Sequence, residues 1–391
     1  MPKARIHKVL FISHEASRSG APIVLLHLLN WIKKNTALQF EILLLSDGPL
    51  RPDFEVIAET FVLSKLIGHH TYQSRIKRKL RKTTLNDEYI KAAASLAKNK
   101  YDLIYGNTIV TLPWLTIFKE KHAVRTLCCI HELSYATSYF FTNAYIEENL
   151  GLTDEIIAVS EAVKAHLMES FNVPAKKINL NYEFIDTAIV PAVDDAMAAD
   201  LGIKPGQYVI GTGGAPSWRK GTDLLIPLIL ILTERYPAFD FKIAWLGMDA
   251  GDEFARQLNY DAVKCGVADK LQFISDKRDP LNYINLFDVF VLLSREDPFP
   301  LIVLEAAFLK KPVIAFENSG GMPEFVMQGA GLLAPYLNTT RVAELVYQLS
   351  LDIDLATKLG VKGNELVVAQ YSTQAAAQGI FNQINQALGR N

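Results

Sequence analysis

The chain has 391 residues, half of them hydrophobic, 21% charged and 10% aromatic, with 40 Lys plus Arg against 42 Asp plus Glu and a net charge of −2. That length suggests two or three domains, the apolar share excludes a largely disordered chain, and the charge balance argues against a general nucleic-acid binder, which carries a basic surplus. Three cysteines, Cys128, Cys129 and Cys265, are too few and too badly spaced for a disulfide scaffold or a four-ligand zinc site.

From the N-terminus, the apolar stretch in MPKARIHKVLFISHE is short, lacks a small-residue cleavage site and reads as a first strand. The longest purely apolar run, Leu224 to Leu232, has nine residues, against the ~20 of a membrane span. The expectation is a soluble cytoplasmic protein. Strands are predicted at 9–12, 40–45, 103–105, 124–130 and 156–159, each short, largely apolar and bounded by polar or Gly/Asn residues. Helical patterns at 22–32 and 86–97 lie between them. Continuous apolar strands alternating with helices imply a parallel sheet covered on both faces.

The alternation pauses over 187–206, TAIVPAVDDAMAADLGIKPG, with two prolines, two glycines and no clear strand. A domain boundary is expected there, separating residues 1–190 from 200–371. Strands are then predicted at 208–211, 241–246, 271–274, 289–293, 312–316 and 331–334. An amphipathic helix at 373–388 is expected to cross back onto the first domain. Two consecutive α/β units put a cleft between them, and ligands of open α/β sheets bind at the carboxyl ends of strands. All eight histidines precede residue 167, so histidine chemistry belongs to the first domain.

Several motifs are absent. GTGGAP, Gly211 to Pro216, follows a strand but carries proline where GxGxxG needs its third glycine. There is no GxxxxGK[ST]. Asp352-Ile353-Asp354 spells DxD inside a late helical run, 341–359, and reads better as a solvated helix face.

The strongest signal is SREDPFPLIVLEAA, Ser294 to Ala307, after the buried strand VFVLL and opening a helix. Pro300 suits a first helical turn. A helix N-terminus with free N–H groups accepts a phosphate. Glu305, further along, can accept from two adjacent ribose hydroxyls, and Asp297 stands in the loop as a helix cap or ligand contact. The second signal is SWRKGTD, Ser217 to Asp223, where Arg219 and Lys220 are adjacent cations at a strand-to-helix turn and Gly221 relaxes the backbone. Two cations there favour a diphosphate.

Together these residues resemble the GT-B retaining glycosyltransferases, specifically the large family 4, with its E-x7-E element and its upstream R/K-KG turn. Here the element reads D-x7-E, Asp297 and Glu305, with Glu296 one residue out of register. Further matches are WLG at 245–247, FDVFV at 287–291, KPVIA at 311–315, SGGMPE at 319–324, SRSGAP at 17–22 and IIAVSE at 156–161. The resemblance implies a GT-B α/β fold of two Rossmann-like domains facing a central cleft, an acceptor-side domain at 1–190 and a donor-binding domain at 200–371. It implies that Glu305 holds the donor ribose, that Asp297 with Glu296 contacts the transferred sugar, and that Arg219 and Lys220 neutralise the leaving diphosphate without a metal. Pro298, Phe299, Pro300, Leu301 and Ile302 complete the donor loop, and Gly214 stands where the family often has an arginine. Ser19 and Gly20 bring backbone N–H groups to the phosphates, and His131 faces the sugar.

The activity so implied is transfer of a hexose, by family frequency from UDP-glucose or a relative, onto a polysaccharide or lipid-linked saccharide. Nucleotide sugar is then a substrate, and neither cofactor nor metal is expected. The alternatives are an epimerase or hydrolase on the same fold, and a non-catalytic nucleotide-sugar-binding scaffold. RIKRKLRK, Arg75 to Lys82, reads either as a solvated helix face or as a basic amphipathic patch suited to peripheral contact with an anionic membrane. Tyr135, Tyr139, Phe140, Phe141 and Tyr145 either line an acceptor groove or pack in the first-domain core.

Overall fold

A computed structural model describes residues 7–66, 85–188, 191, 195–275 and 280–389. The chain forms two compact units, one made of Met1–Glu183 with Thr373–Asn391, the other of Phe184–Ser372. The basic patch at Arg75 to Lys82 lies outside the described residues.

In the first unit, the described strands are β1 (Lys8–Ser13), β2 (Gln39–Leu44), β3 (Thr60–Val62), β4 (Leu103–Asn107), β5 (Arg125–Ile130), β6 (Glu155–Ala158) and β7 (Ile178–Leu180). They form a parallel sheet in the order β3-β2-β1-β4-β5-β6-β7. Val9, Leu10, Phe11 and Ile12 are all fully buried, as a strand covered on both faces requires. β3 and β7 have no sequence prediction, because three residues carry no readable period. The chain order reverses between β1 and β4, so their carboxyl ends open the crevice in which such sheets bind ligands. The helix Thr373–Ala387 packs within this unit: Phe381 meets the Trp31 ring at 5.9 Å, and Arg125 Nη1 donates to Ala387 O at 2.8 Å.

The second unit repeats the plan with β8 (Tyr208–Gly213), β9 (Phe241–Leu246), β10 (Leu271–Ile274), β11 (Val289–Leu292), β12 (Val313–Phe316) and β13 (Gly331–Ala334). Among the described residues the order is β10-β9-β8-β11-β12-β13, again parallel, with the reversal between β8 and β11. The apolar run at 224–232 becomes the helix Leu225–Arg235, which buries Leu225, Ile226, Leu228, Ile229 and Leu232 against the sheet. The chain enters this unit at Phe184, ahead of the proline-rich 187–206 segment, because Phe184 and Ile185 are buried in it and Ile185 N donates to Tyr371 O.

One expectation needs correction. The helical run at 341–359 is two helices, Thr339–Leu351 and Ile353–Gln370, and Asp352 starts the second by accepting from Leu355 N at 2.9 Å. The DxD therefore contains an N-cap. Of the aromatic residues after His131, for which groove and core were both open, Tyr135, Tyr139 and Phe140 are 50%, 81% and 44% exposed, whereas Phe141 and Tyr145 are part-buried and stack at 4.9 Å. Among the described residues no helix is long and apolar enough to cross a membrane.

Candidate active site

In the second unit the two sequence signals come together at the carboxyl ends of β8 and β11. After β8 the chain turns at Gly214 (φ +114), passes through a single helical turn at Trp218–Lys220, and enters the next at Gly221 (φ +72). Gly221 is required twice over. Its φ lies in the left-handed region that L side chains avoid, and a Cβ there would stand 2.0 Å from Leu293 O. Gly221→Ala is therefore expected to cost about 1–3 kcal/mol from backbone strain, with more from the clash. Urea unfolding of the variant checks this.

Lys220 lies back against Gly214, whose own Cβ would meet the lysine Cε at 3.1 Å and Nζ at 3.3 Å. An arginine in place of Gly214 would compete for that volume. Lys220 Nζ donates to Asp297 Oδ2 at 2.6 Å, and Ser294 Oγ donates to the same oxygen at 2.8 Å. Arg219 Nη1 stands 3.5 Å from Asp297 Oδ1 and donates to Glu296 O at 2.6 Å. The backbone of Asp297 bonds Ser319 and Gly321 on both sides, donating to Ser319 O at 2.7 Å and accepting from Gly321 N at 3.0 Å. Asp297 is 4% exposed. Burial alone would raise its pKa, but Lys220, Arg219 and Ser294 outweigh this and hold the carboxyl below the ordinary value.

The turn is tied to the acidic loop by a residue that the sequence reading passed over. Arg295 makes a bidentate pair with Asp223, at 2.7 and 2.8 Å, donates to Trp218 O at 2.8 Å and stacks over the Trp218 ring at 4.6 Å. Asp223 and Arg295 are 72 positions apart, so no local pattern could reveal the pair.

The helix Leu301–Phe308 begins immediately after Pro300, which sits at the N-cap with extended backbone and not within the first turn. No side chain caps this helix, so Asp297 does not serve as its cap. Phe299 and Leu301 are buried, at 1% and 8% exposure, and Phe299 packs on Tyr371 at 5.4 Å. Their side chains are core, and only their backbone is available to a ligand. Pro298, Ile302 and Glu305 are part-buried. Ile302 and Glu305 are three apart and share a face, while Val303, Leu304, Ala306 and Ala307 are buried. A Cβ on Gly213 would lie 2.6 Å from Ile302 Cδ1, so this half-open face passes over the end of β8, beside the Lys220 turn. Burial pushes the Glu305 carboxyl up to about 7.

In the first unit, Ser19 precedes the helix Gly20–Asn35 with extended backbone and no capping bond. Its hydroxyl donates instead to Glu15 Oε1 at 3.0 Å, as does that of Ser17. Helix geometry leaves the N–H groups of Gly20 and Ala21 without intrahelical acceptors. His131, 8% exposed, follows β5. Its Nδ1 lies 2.7 Å from Glu183 Oε1 and its Nε2 3.0 Å from Asn107 Oδ1.

The comparisons with known proteins agree with this plan. The model described as "Glycosyl transferases group 1" matches residues 193–366, and "Glycosyltransferase Family 4" matches 19–189. Similar curated proteins include the lipopolysaccharide core biosynthesis mannosyltransferase LpcC of Rhizobium leguminosarum bv. viciae, 25% identical over 51% of this chain and 56% of that protein. Another is the N-acetyl-alpha-D-glucosaminyl L-malate synthase of Bacillus anthracis, 26% identical over 59% of each. The chain thus spans little more than half the length of these relatives. Among solved structures, Anabaena HepE in complex with UDP-glucose has a TM-score of 0.79 at 18% identity, over 97% of this chain and 99% of that one. With both of its units matched by name and its two parallel sheets superposing on such a neighbour, this chain belongs to the group 1, family 4 glycosyltransferases and has their GT-B fold.

Proposed function

We propose that the protein is a retaining glycosyltransferase that moves a hexose from a nucleotide sugar, a UDP-hexose such as UDP-glucose, to a polysaccharide or glycolipid acceptor. The observation that carries this reading is the cluster at the ends of β8 and β11. Two adjacent cations, Arg219 and Lys220, stand at a buried carboxylate beside a helix that bears a part-buried Glu305. Breaking the sugar–phosphate bond puts positive charge on the anomeric carbon and negative charge on the leaving diphosphate. Arg219, Lys220 and the N-terminus of the Leu301–Phe308 helix stabilise the latter as preorganised charges, and a metal is not assigned that task. Glu305 accepts from the ribose hydroxyls. Asp297, with Glu296, faces the transferred sugar and fixes Lys220. Same-face attack, with the departing phosphate oxygen taking the acceptor's proton, needs no protein base.

The first unit is assigned the acceptor. The exposed rings of Tyr135, Tyr139 and Phe140 suit the apolar face of a sugar or a lipid stem. The choice of UDP is supported by the bound ligand of HepE and by family frequency. The relatives include a mannosyltransferase, so GDP-mannose belongs in the test.

That test is release of free nucleotide from UDP-, GDP-, ADP- and TDP-sugars, with and without EDTA, beside Glu305→Ala and Lys220→Ala. Slow release from one donor, insensitive to EDTA and lost in both variants, is expected. Binding of a donor with no turnover on any acceptor would favour a scaffold. Inversion at the anomeric carbon would sink the same-face mechanism.

A further inference from the structure

The carboxyl edge of the first sheet holds more polar and titratable groups than this reading uses. His14 and Glu15 follow β1, Asn107 ends β4, His131 and Glu132 follow β5, and Glu183 lies shortly after β7. His131 sits among them with both ring nitrogens engaged, and its neighbours fix which protons it holds. Asn107 Nδ2 donates to Ala21 O at 2.9 Å. Its Oδ1 therefore faces the ring and accepts, so His131 Nε2 carries a hydrogen. On the other side, Nδ1 meets the Glu183 carboxylate, 2.7 Å away and as buried as the ring itself. With Glu183 ionised, its carboxylate only accepts, so Nδ1 carries a hydrogen as well. A ring that donates from both nitrogens is an imidazolium.

We propose that Glu183 is a positioning residue which, together with Asn107, keeps His131 a permanent imidazolium, so that His131 serves the reaction as a fixed positive charge and never as its base. This rests on the glycosyltransferase reading. It also gives that reading a consequence: a ring that already holds two protons cannot take the acceptor's, which leaves the departing phosphate oxygen to do so. The same contacts tie the ring to the loop of Ser19 and Gly20, since Asn107 holds Ala21 in the first turn of the Gly20–Asn35 helix.

Four further groups bear on the ring. Burial pushes the pKa of His14 down, so it adds no second charge. Glu15 lies beyond it, with Oε1 3.5 Å from His14 Nε2. Glu132 accepts from the N–H groups of Ile109 and His131, yet burial raises its carboxyl. The Cys129 sulfur lies beside the ring. Burial disfavours the imidazolium of His131, but Cys129 and Glu183 outweigh burial and hold its pKa well above the ordinary value. Of these partners, only Glu183 combines a charge with a short, directed contact at a ring nitrogen.

The experiment is an NMR titration of the full chain with 15N-labelled histidine from pH 5 to 10, with His131→Gln to locate the signal. In the native protein the His131 ring is expected to keep both protons beyond pH 8. In Glu183→Gln, which preserves shape and removes charge, the proton affinity of the ring should fall at least tenfold, while Glu183→Asp and Cys129→Ser should retain most of it. In turnover, Glu183→Gln should move the alkaline limb of kcat down by the same factor with little change in donor KM, and Glu183→Asp should restore it. A ring neutral at pH 7 in the native protein overturns the proposal. So does a titration that Cys129→Ser shifts and Glu183→Gln does not, or an alkaline limb unmoved in Glu183→Gln. Should Glu183→Gln fail to fold, the native, Glu183→Asp and Cys129→Ser titrations still decide the proton count. If the native protein releases nucleotide from no donor, the reaction half falls with the functional reading, and the titration judges the imidazolium by itself.

Discussion

Glu305→Gln is expected to abolish tight donor binding and, at the same time, to stabilise the unliganded protein above pH 7. The carboxyl is part-buried on the Leu301–Phe308 helix, and burial is what raises it from 4.5 to about 7. The sign follows from linkage. A carboxyl whose folded pKa exceeds its unfolded one imposes no penalty below about 4.5, a growing penalty between 4.5 and 7, and a full one above that. A shift of that size is worth at most about 3 kcal/mol, and less here because the group is partly open to water. Glutamine carries no such penalty. The two proteins should melt together near pH 4.5, and the variant should melt a few degrees higher at pH 8. For binding the order reverses. In the proposed donor site the ribose hydroxyls donate to the ionised carboxylate, so donor affinity should rise with pH up to about 7 and then level, with proton release below that point. Calorimetry in two buffers of different ionisation enthalpy counts those protons. Loss of the charged contacts costs about 1.5–3 kcal/mol each, so Glu305→Gln should bind at least a hundredfold more weakly at pH 8, and the gap should narrow as pH falls below about 7. Equal melting temperatures at pH 8 would remove the buried-carboxylate account.

The two units, their parallel sheets and the placement of the SWRKGTD and SREDPFPLIVLEAA segments at strand-to-helix turns were legible because each rests on a local pattern. Largely apolar runs such as FKIAWL bury all six positions, and their shortness and polar flanks mark them. What stayed hidden is non-local. Asp297 reads as a ligand contact or a cap, and only the fold brings Lys220, 77 positions away, onto its carboxylate. Phe299 belongs to the motif string, yet its packing against Tyr371 makes it core. Glu183 follows a three-residue strand with no readable period, so nothing in the chain order joins it to His131, 52 positions earlier. The helix break at Asp352 was readable in principle, since an aspartate before Ile353 and Asp354 is an ordinary N-cap signal.

Lys220→Ala should cut donor turnover by about 10²–10³, the usual loss for one preorganised charge on a developing anion. The same change should destabilise the protein, and the two losses are separable. Asp297 is 4% exposed and takes its shortest contact from Lys220. Removing the lysine leaves a buried carboxylate with Ser294 and an arginine at 3.5 Å. Breaking one side of a buried pair costs about 3–5 kcal/mol. Asp297→Asn in the same chain removes the stranded charge, so the double variant should regain much of that stability without regaining turnover. The pH dependence gives an independent check. The Asp297 carboxyl of the native protein lies below 3.8, so its stabilising contribution is present above 3.8 and lost only as pH falls through its lower folded value. In Lys220→Ala its desolvation is no longer outweighed to the same degree, and acid unfolding should begin at higher pH. If Asp297 served only to meet the sugar, Asp297→Asn alone would lower turnover while Lys220→Ala and the double variant shared one stability. Urea unfolding of the four proteins distinguishes these outcomes, because a positive coupling between the two positions is what a carboxylate that holds the lysine in place requires.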